Sequence, residues 1–259
     1  MYYDIQKAPV TKRIGAFLLD FMLMVILIVF ATSLIASAMN VDKHIENIKV
    51  ITDEIEENKE YYEEKYQLKL DITEEEFNAM TDEEKIACNE AFAKMYEETG
   101  LTKLRNKVIS LNILAVTCGA LIAVLLTEIL VPALMKHGRT LGKRVFGLGL
   151  MRKDCVKIHP AQMVARALIG KFTICLMLPI YALLFFGLSS MIGKVILVAV
   201  IGVQLIVMGL TKNNAALHDL IAATVVVDYD SQMIYDSEEE LLAAMEKDKA
   251  ERASARKTY

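Results

Sequence analysis

Two carboxylates, Asp20 and Glu128, stand inside long apolar runs, and Arg13 lies seven residues before the first of them. A carboxylate within a membrane helix costs roughly 2.5 to 3.5 kcal/mol on insertion scales, so each needs a reason to be there. Two helical turns place Arg13 and Asp20 on one face, about 10 Å apart, sharing neighbours without forming a simple pair. By rise per residue, Asp20 sits about 9 Å inside one end of its run, and Glu128 about 12 Å in from Lys136. Both are expected at similar depth in the inner half of a bilayer. If their faces meet, two ionised carboxylates repel, and one pKa rises unless a cation neutralises them. Such a pair can take up a proton or cation and give it back. The same charges can also be static: Arg13, Arg166 or Lys171 can pair with Asp20, Glu128 or Asp219 and lock a helical bundle.

The elements that carry these residues follow from hydropathy. Of 259 residues, 54% are hydrophobic and none is Trp. Soluble domains lie near 45–50% apolar, and here the excess falls in blocks. Runs of about 20 apolar residues span a bilayer. Four spans are predicted, at 14–39, 108–135, 167–189 (with Pro179) and 192–211 (with Lys194 and Gln204). A Gly/Ser-rich joint from Ser189 to Gly193 makes the last two a tight helical hairpin. The fold class is therefore an all-α membrane protein with four transmembrane helices and an extramembrane helical hairpin between spans 1 and 2. The first run is too long for a signal peptide's apolar region and contains Asp20, so it reads as a retained span.

Lysine and arginine set the orientation. The 136–166 loop carries Lys136, Arg139, Lys143, Arg144, Arg152, Lys153, Lys157 and Arg166 against Asp154 alone. It is expected in the cytoplasm. An even number of spans then puts both termini there, with the protein in the plasma membrane of a bacterium. Four segments result: 1–40, 41–107, 108–228 and 229–259.

The 41–107 segment holds 19 acidic against 10 basic residues. Ile45, Ile48, Ile51, Ile55, Tyr62 and Tyr66 recur as on one helix face. Thr73 with Glu76 and Thr81 with Glu84 have capping-box spacing, and Gly100 suits a helix end. A solvated helical extension outside the membrane is expected, with a protein-partner surface as the alternative. After the last span, residues 215–227 are too short to cross and read as an interfacial helix ending in an extended Val225–Val227 piece. Ser237 with Glu240 opens a charged tail helix, read as solvated or, alternatively, as a docking element.

Catalytic chemistry finds no support. Cys88, Cys118, Cys155 and Cys175 show no paired spacing, and His44, His137, His159 and His218 are scattered, so neither a disulfide frame nor a metal site is expected. His218 reads as interfacial. The stretch Gly138 to Lys143 fails as a phosphate loop: its glycines are one residue too close, and neither Ser nor Thr follows Lys143. No catalytic residue, cofactor or nucleic-acid partner is expected, and the chain does not read as an enzyme. The Gly/basic loop of Gly138, Arg139, Thr140, Gly142, Lys143, Arg144 and Gly147 reads as a tight turn and then a strand-like piece through Leu150. Its basic residues are expected to face anionic headgroups, at about 1 kcal/mol each.

Three stretches converge on one family: Arg13-Ile-Gly-Ala-Phe-Leu-Leu-Asp20, then Arg139-Thr-Leu-Gly-Lys-Arg-Val-Phe-Gly147 with Arg166 beyond it, then Leu217-His-Asp219-Leu-Ile-Ala-Ala-Thr224. Together they resemble the RDD family of membrane proteins, named for an arginine and two aspartates. Arg13 and Asp20 match the first two named positions and Asp219 the third. The likeness covers about residues 8–40 and 108–228. What it implies for activity is thin: a few members are associated with sodium–proton exchange and others with assembly of membrane complexes, while most have no assigned biochemistry. The resulting expectation is a polar cluster of Arg13, Asp20, Glu128, Arg166 and Asp219. It would sit in a non-enzymatic scaffold or partner protein. The alternative is a small secondary cation transporter with Asp20 and Glu128 as coupling carboxylates. With only four spans, that transporter would require a homo-oligomer.

Overall fold

The computed structural model describes residues 5–135, 138–187 and 190–257, with side chains as far as Ala253. Lys136 and His137 of the basic loop, Leu188 at the end of the expected third span and Ser189 of the expected joint lie outside the described residues. In chain order the elements are α1 (Val10–Ala38), α2 (Val41–Glu57), α3 (Lys59–Tyr66), α4 (Glu74–Ala79), α5 (Asp82–Glu98), α6 (Leu101–Leu134), α7 (Leu141–Val145), β1 (Leu148–Arg152), α8 (Pro160–Phe186), α9 (Met191–Leu210), α10 (Leu217–Ile221), β2 (Thr224–Asp228) and α11 (Glu238–Lys257).

Helices α1, α6, α8 and α9 are long and apolar enough to cross a membrane. Their side chains point outward: Phe17, Phe30, Val198 and Leu210 are each at least 60% exposed. So much contiguous apolar surface is not sustained in water, and hydrocarbon is its natural solvent. The chain is a predominantly helical integral membrane protein in contact with the bilayer. Helix α8 begins before the expected start because Pro160 suits a first helical turn, which places Arg166 inside the helix.

One compact unit is formed by residues 32–118. Its core is Ile55, Tyr66, Leu68, Met95 and Leu101, with Ile48, Ile51 and Tyr62 packed against it. Helices α2 and α3 follow one another with a break at Asn58, and α3 packs on α5. The Tyr66 hydroxyl donates to Glu98 at 2.6 Å across this pair. Both capping boxes form, each threonine accepting from the backbone N–H three residues on while the glutamate there accepts in return.

The other unit comprises residues up to 31 together with 119 onward. Strands β1 and β2 pair antiparallel with Leu150 opposite Val226. Two strands alone are marginal in water. Here the sheet is covered on both faces, as strand alternation allows. Leu148, Leu150 and Val226 pack with Ala8, Ala16 and Ile158. Met151, Val225 and Val227 pack with Cys155, Val156, Tyr235 and Leu241. Leu241 belongs to α11, so the tail helix expected in solvent is docked along one stripe. Parts of two membrane helices, Leu125–Leu130 and Arg166–Met177, are wound as π-helix. The Thr173 hydroxyl accordingly donates to the Leu168 carbonyl, five residues back, at 2.8 Å.

Candidate functional site

Asp219 is the centre of the polar cluster. It lies in α10 and is fully buried. Its Oδ2 accepts from Arg13 Nη2 at 2.7 Å and from the Ala216 N–H at 3.1 Å. Arg166 Nη2 lies 2.9 Å from Oδ1. Arg13 also donates to the Asn213 carbonyl at 3.4 Å. One carboxylate thus ties α1 and α8 to the segment after α9. Burial alone would raise the Asp219 pKa, but the charges of Arg166 and Arg13 outweigh it and hold the group well below the usual carboxylate range. Close backbone approach permits this geometry: a Cβ on Gly170 would lie 2.5 Å from the His218 Cβ. His218 Nε2 is 3.6 Å from Asp219 Oδ1. Burial first, then the positive Arg166 and Lys171, push His218 down to about 3, so it stays neutral near pH 7 and makes no ion pair.

Asp20 makes a different set of contacts. Its Oδ2 accepts from the Thr140 hydroxyl at 2.5 Å and its Oδ1 from the Gly142 N–H at 2.7 Å. Thr140 caps α7, accepting from the Lys143 N–H at 3.3 Å. The carboxylate therefore latches α1 to the first turn of α7 through donors that carry no charge. Gly142 is required for this approach, because a Cβ there would lie 2.3 Å from the Ala16 carbonyl and 2.8 Å from Asp20 Cγ.

Glu128 sits on the π-wound turn of α6, buried, and accepts from Lys171 of α8. The cluster is thus two ion-pair centres and one neutral latch. Asp20 and Glu128 each hold partners of their own.

Lys143 stands apart from the other basic residues of the loop. It is only 7% exposed, because the Thr140 cap turns the third residue of α7 inward. Burial, together with Arg166 and Lys171, pushes its ammonium down to about 7, while Glu128 and Asp20 are near enough to pull the other way. Arg139 stacks over the Tyr229 ring at 4.0 Å. Arg144 alone of these three is exposed. Gly138 (φ +58) and Gly147 (φ +66) bracket the loop with turns, the second leading into β1.

Sequence reasoning missed two participants. Thr140 as the partner of Asp20 was detectable only as a helix cap two residues before a glycine. Lys143 as a buried cation carried no signal at all, since basic residues fill the whole loop. Among the described residues no group of His, Cys, Asp or Glu is placed to hold a metal ion.

Neither the curated proteins nor the solved structures gave a match to this chain. A family model does, over residues 7–223, a span that takes in Arg13, Asp20 and Asp219. By that match, the chain belongs to the RDD family.

Proposed function

We propose that this RDD protein is a non-enzymatic membrane scaffold, with both termini in the cytoplasm and its acidic 41–107 segment presented outside as the surface for a protein partner. The observation that carries the reading is that Asp20, Glu128 and Asp219 each already have protein partners: Thr140 and Gly142 donate to Asp20, Lys171 to Glu128 and Arg13 to Asp219, with Arg166 in ion-pair contact with Asp219 as well. A carrier needs a carboxylate able to exchange partners, and removing one member of a buried pair costs about 3–5 kcal/mol. Such groups serve better as locks than as coupling sites. The tail supports the same assignment of surfaces, since Leu241 is committed to the core under β2, leaving 41–107 as the better partner surface.

Two measurements test this. Vesicles containing the wild-type protein are expected to show no cation-dependent pH change. Such a flux, lost in a folded and inserted Asp20→Asn protein, would instead establish transport. Deleting 44–100 is expected to leave membrane insertion intact and to remove co-purifying partners. An unchanged partner set would sink the scaffold reading.

A further inference from the structure

We propose that Lys143 and Arg166, backed by Lys171, bind one monoanionic phosphate group, such as a phospholipid phosphodiester or free phosphate presents. This does not depend on the scaffold reading.

Arg166 spends only Nη2 on Asp219. Its Nε and Nη1 are buried and have no hydrogen-bond partner among the described residues. Lys143 is buried as well, and among the described residues no hydrogen bond or ion pair engages its ammonium. Arg13 and Arg166 share one carboxylate, Lys171 answers Glu128, and Lys143 has only Asp20 left to offset it. One positive charge remains, and an unmatched buried charge is expensive. Two events can remove it: Lys143 loses its proton, or an anion enters. Only the anion also supplies acceptors for the two unused donor nitrogens of Arg166, and buried donors are nearly always satisfied. Guanidinium groups match phosphate oxygens geometrically, and an ammonium adds a compact charge beside them. Glu128 and Asp20 nearby disfavour a dianion, so a single negative charge fits best. The place is also right for a lipid. The 29 residues of α1 extend about 43 Å, against a hydrocarbon core of about 30 Å, so the ends of the long helices reach the headgroup layer.

The test uses the full chain, delipidated in uncharged detergent. It is titrated separately with phosphatidylglycerol, inorganic phosphate and phosphate-free diacylglycerol, and binding is read by native mass spectrometry and thermal midpoint. Saturable binding of one phosphate-bearing ligand per chain is expected. Lys143→Met is expected to weaken it at least about tenfold, a charged hydrogen bond's worth. Because Lys143 holds no carboxylate by a hydrogen bond, its loss strands none. Arg166→Lys, which keeps a charge for Asp219, is expected to weaken binding likewise. Phosphatidylglycerol binding without competition from phosphate identifies a lipid site; binding of phosphate itself, in competition with the lipid, identifies a free-anion site. The proposal is overturned if neither ligand binds wild type saturably, if diacylglycerol binds as well, or if binding is unchanged in the variants that fold.

Discussion

Asp219, Glu128 and Asp20 show three ways of keeping a carboxylate away from water: two guanidinium groups, one ammonium, and a pair of neutral donors. Lys143 is the member left without such a partner. Its folded pKa of about 7 lies below its ordinary 10.5. Between those values the unfolded chain keeps a proton that the folded chain has released, so stability rises with pH across that window. In anion-free detergent the rise is expected to be on the order of 2 to 3 kcal/mol between pH 7 and 9. Thermal unfolding of wild type and Lys143→Met at a series of pH values checks it. The variant is expected to lack the rise, and parallel curves would remove Lys143 as its source.

At the scale of elements, the site depends on short pieces: two short helices outside the spans and the π-wound turns within two of them. The first turn of α7 receives Asp20, α10 carries Asp219, and the π-wound stretches of α6 and α8 carry Glu128 and Lys171. Gly142 is the tightest joint among them, since the atom facing its absent Cβ is the Ala16 carbonyl, a backbone atom that cannot swing aside. Gly142→Ala is expected to cost about 1–3 kcal/mol by forcing α1 from α7. A lowered thermal midpoint in detergent, with increased proteolysis of the 138–147 loop, reads this out. A variant as stable as wild type would show the latch to be slack. These elements were only partly legible in the sequence. The capping spacings and the Ile/Tyr stripe of α2 and α3 announce local helices, because caps and periodicity are local properties. The π-winding has no comparable signature, since its i→i+5 bonding leaves no periodic pattern or cap in the sequence.

For the whole molecule, the separation into two units has a direct consequence. The 32–118 unit carries its own apolar core of Ile55, Tyr66, Leu68, Met95 and Leu101. An excised 41–107 peptide is therefore expected to be helical and to melt cooperatively in water, although so small a core gives only marginal stability. Circular dichroism decides it; a non-cooperative, largely unordered peptide would mean that the membrane helices are needed to hold the unit. The same locality explains why the four spans and the acidic segment between them can be read from the chain, for hydropathy over some 20 residues needs no knowledge of distant partners. Asp20 and Glu128 could likewise be singled out, as charges placed where charges are costly, while Arg13 and Asp219 were marked by the family resemblance. What the sequence by itself determined is that this is a four-span RDD membrane protein with carboxylates inside its apolar helices and basic residues at their ends. Only the tertiary structure decided which charge meets which: Asp219 joins Arg13 and Arg166, Asp20 turns to Thr140 and Gly142, and β1 finds β2 across the third and fourth spans. Ion pairing and strand pairing over such separations depend on side chains and edges brought together by packing, and a local pattern encodes the availability of a partner but not its identity.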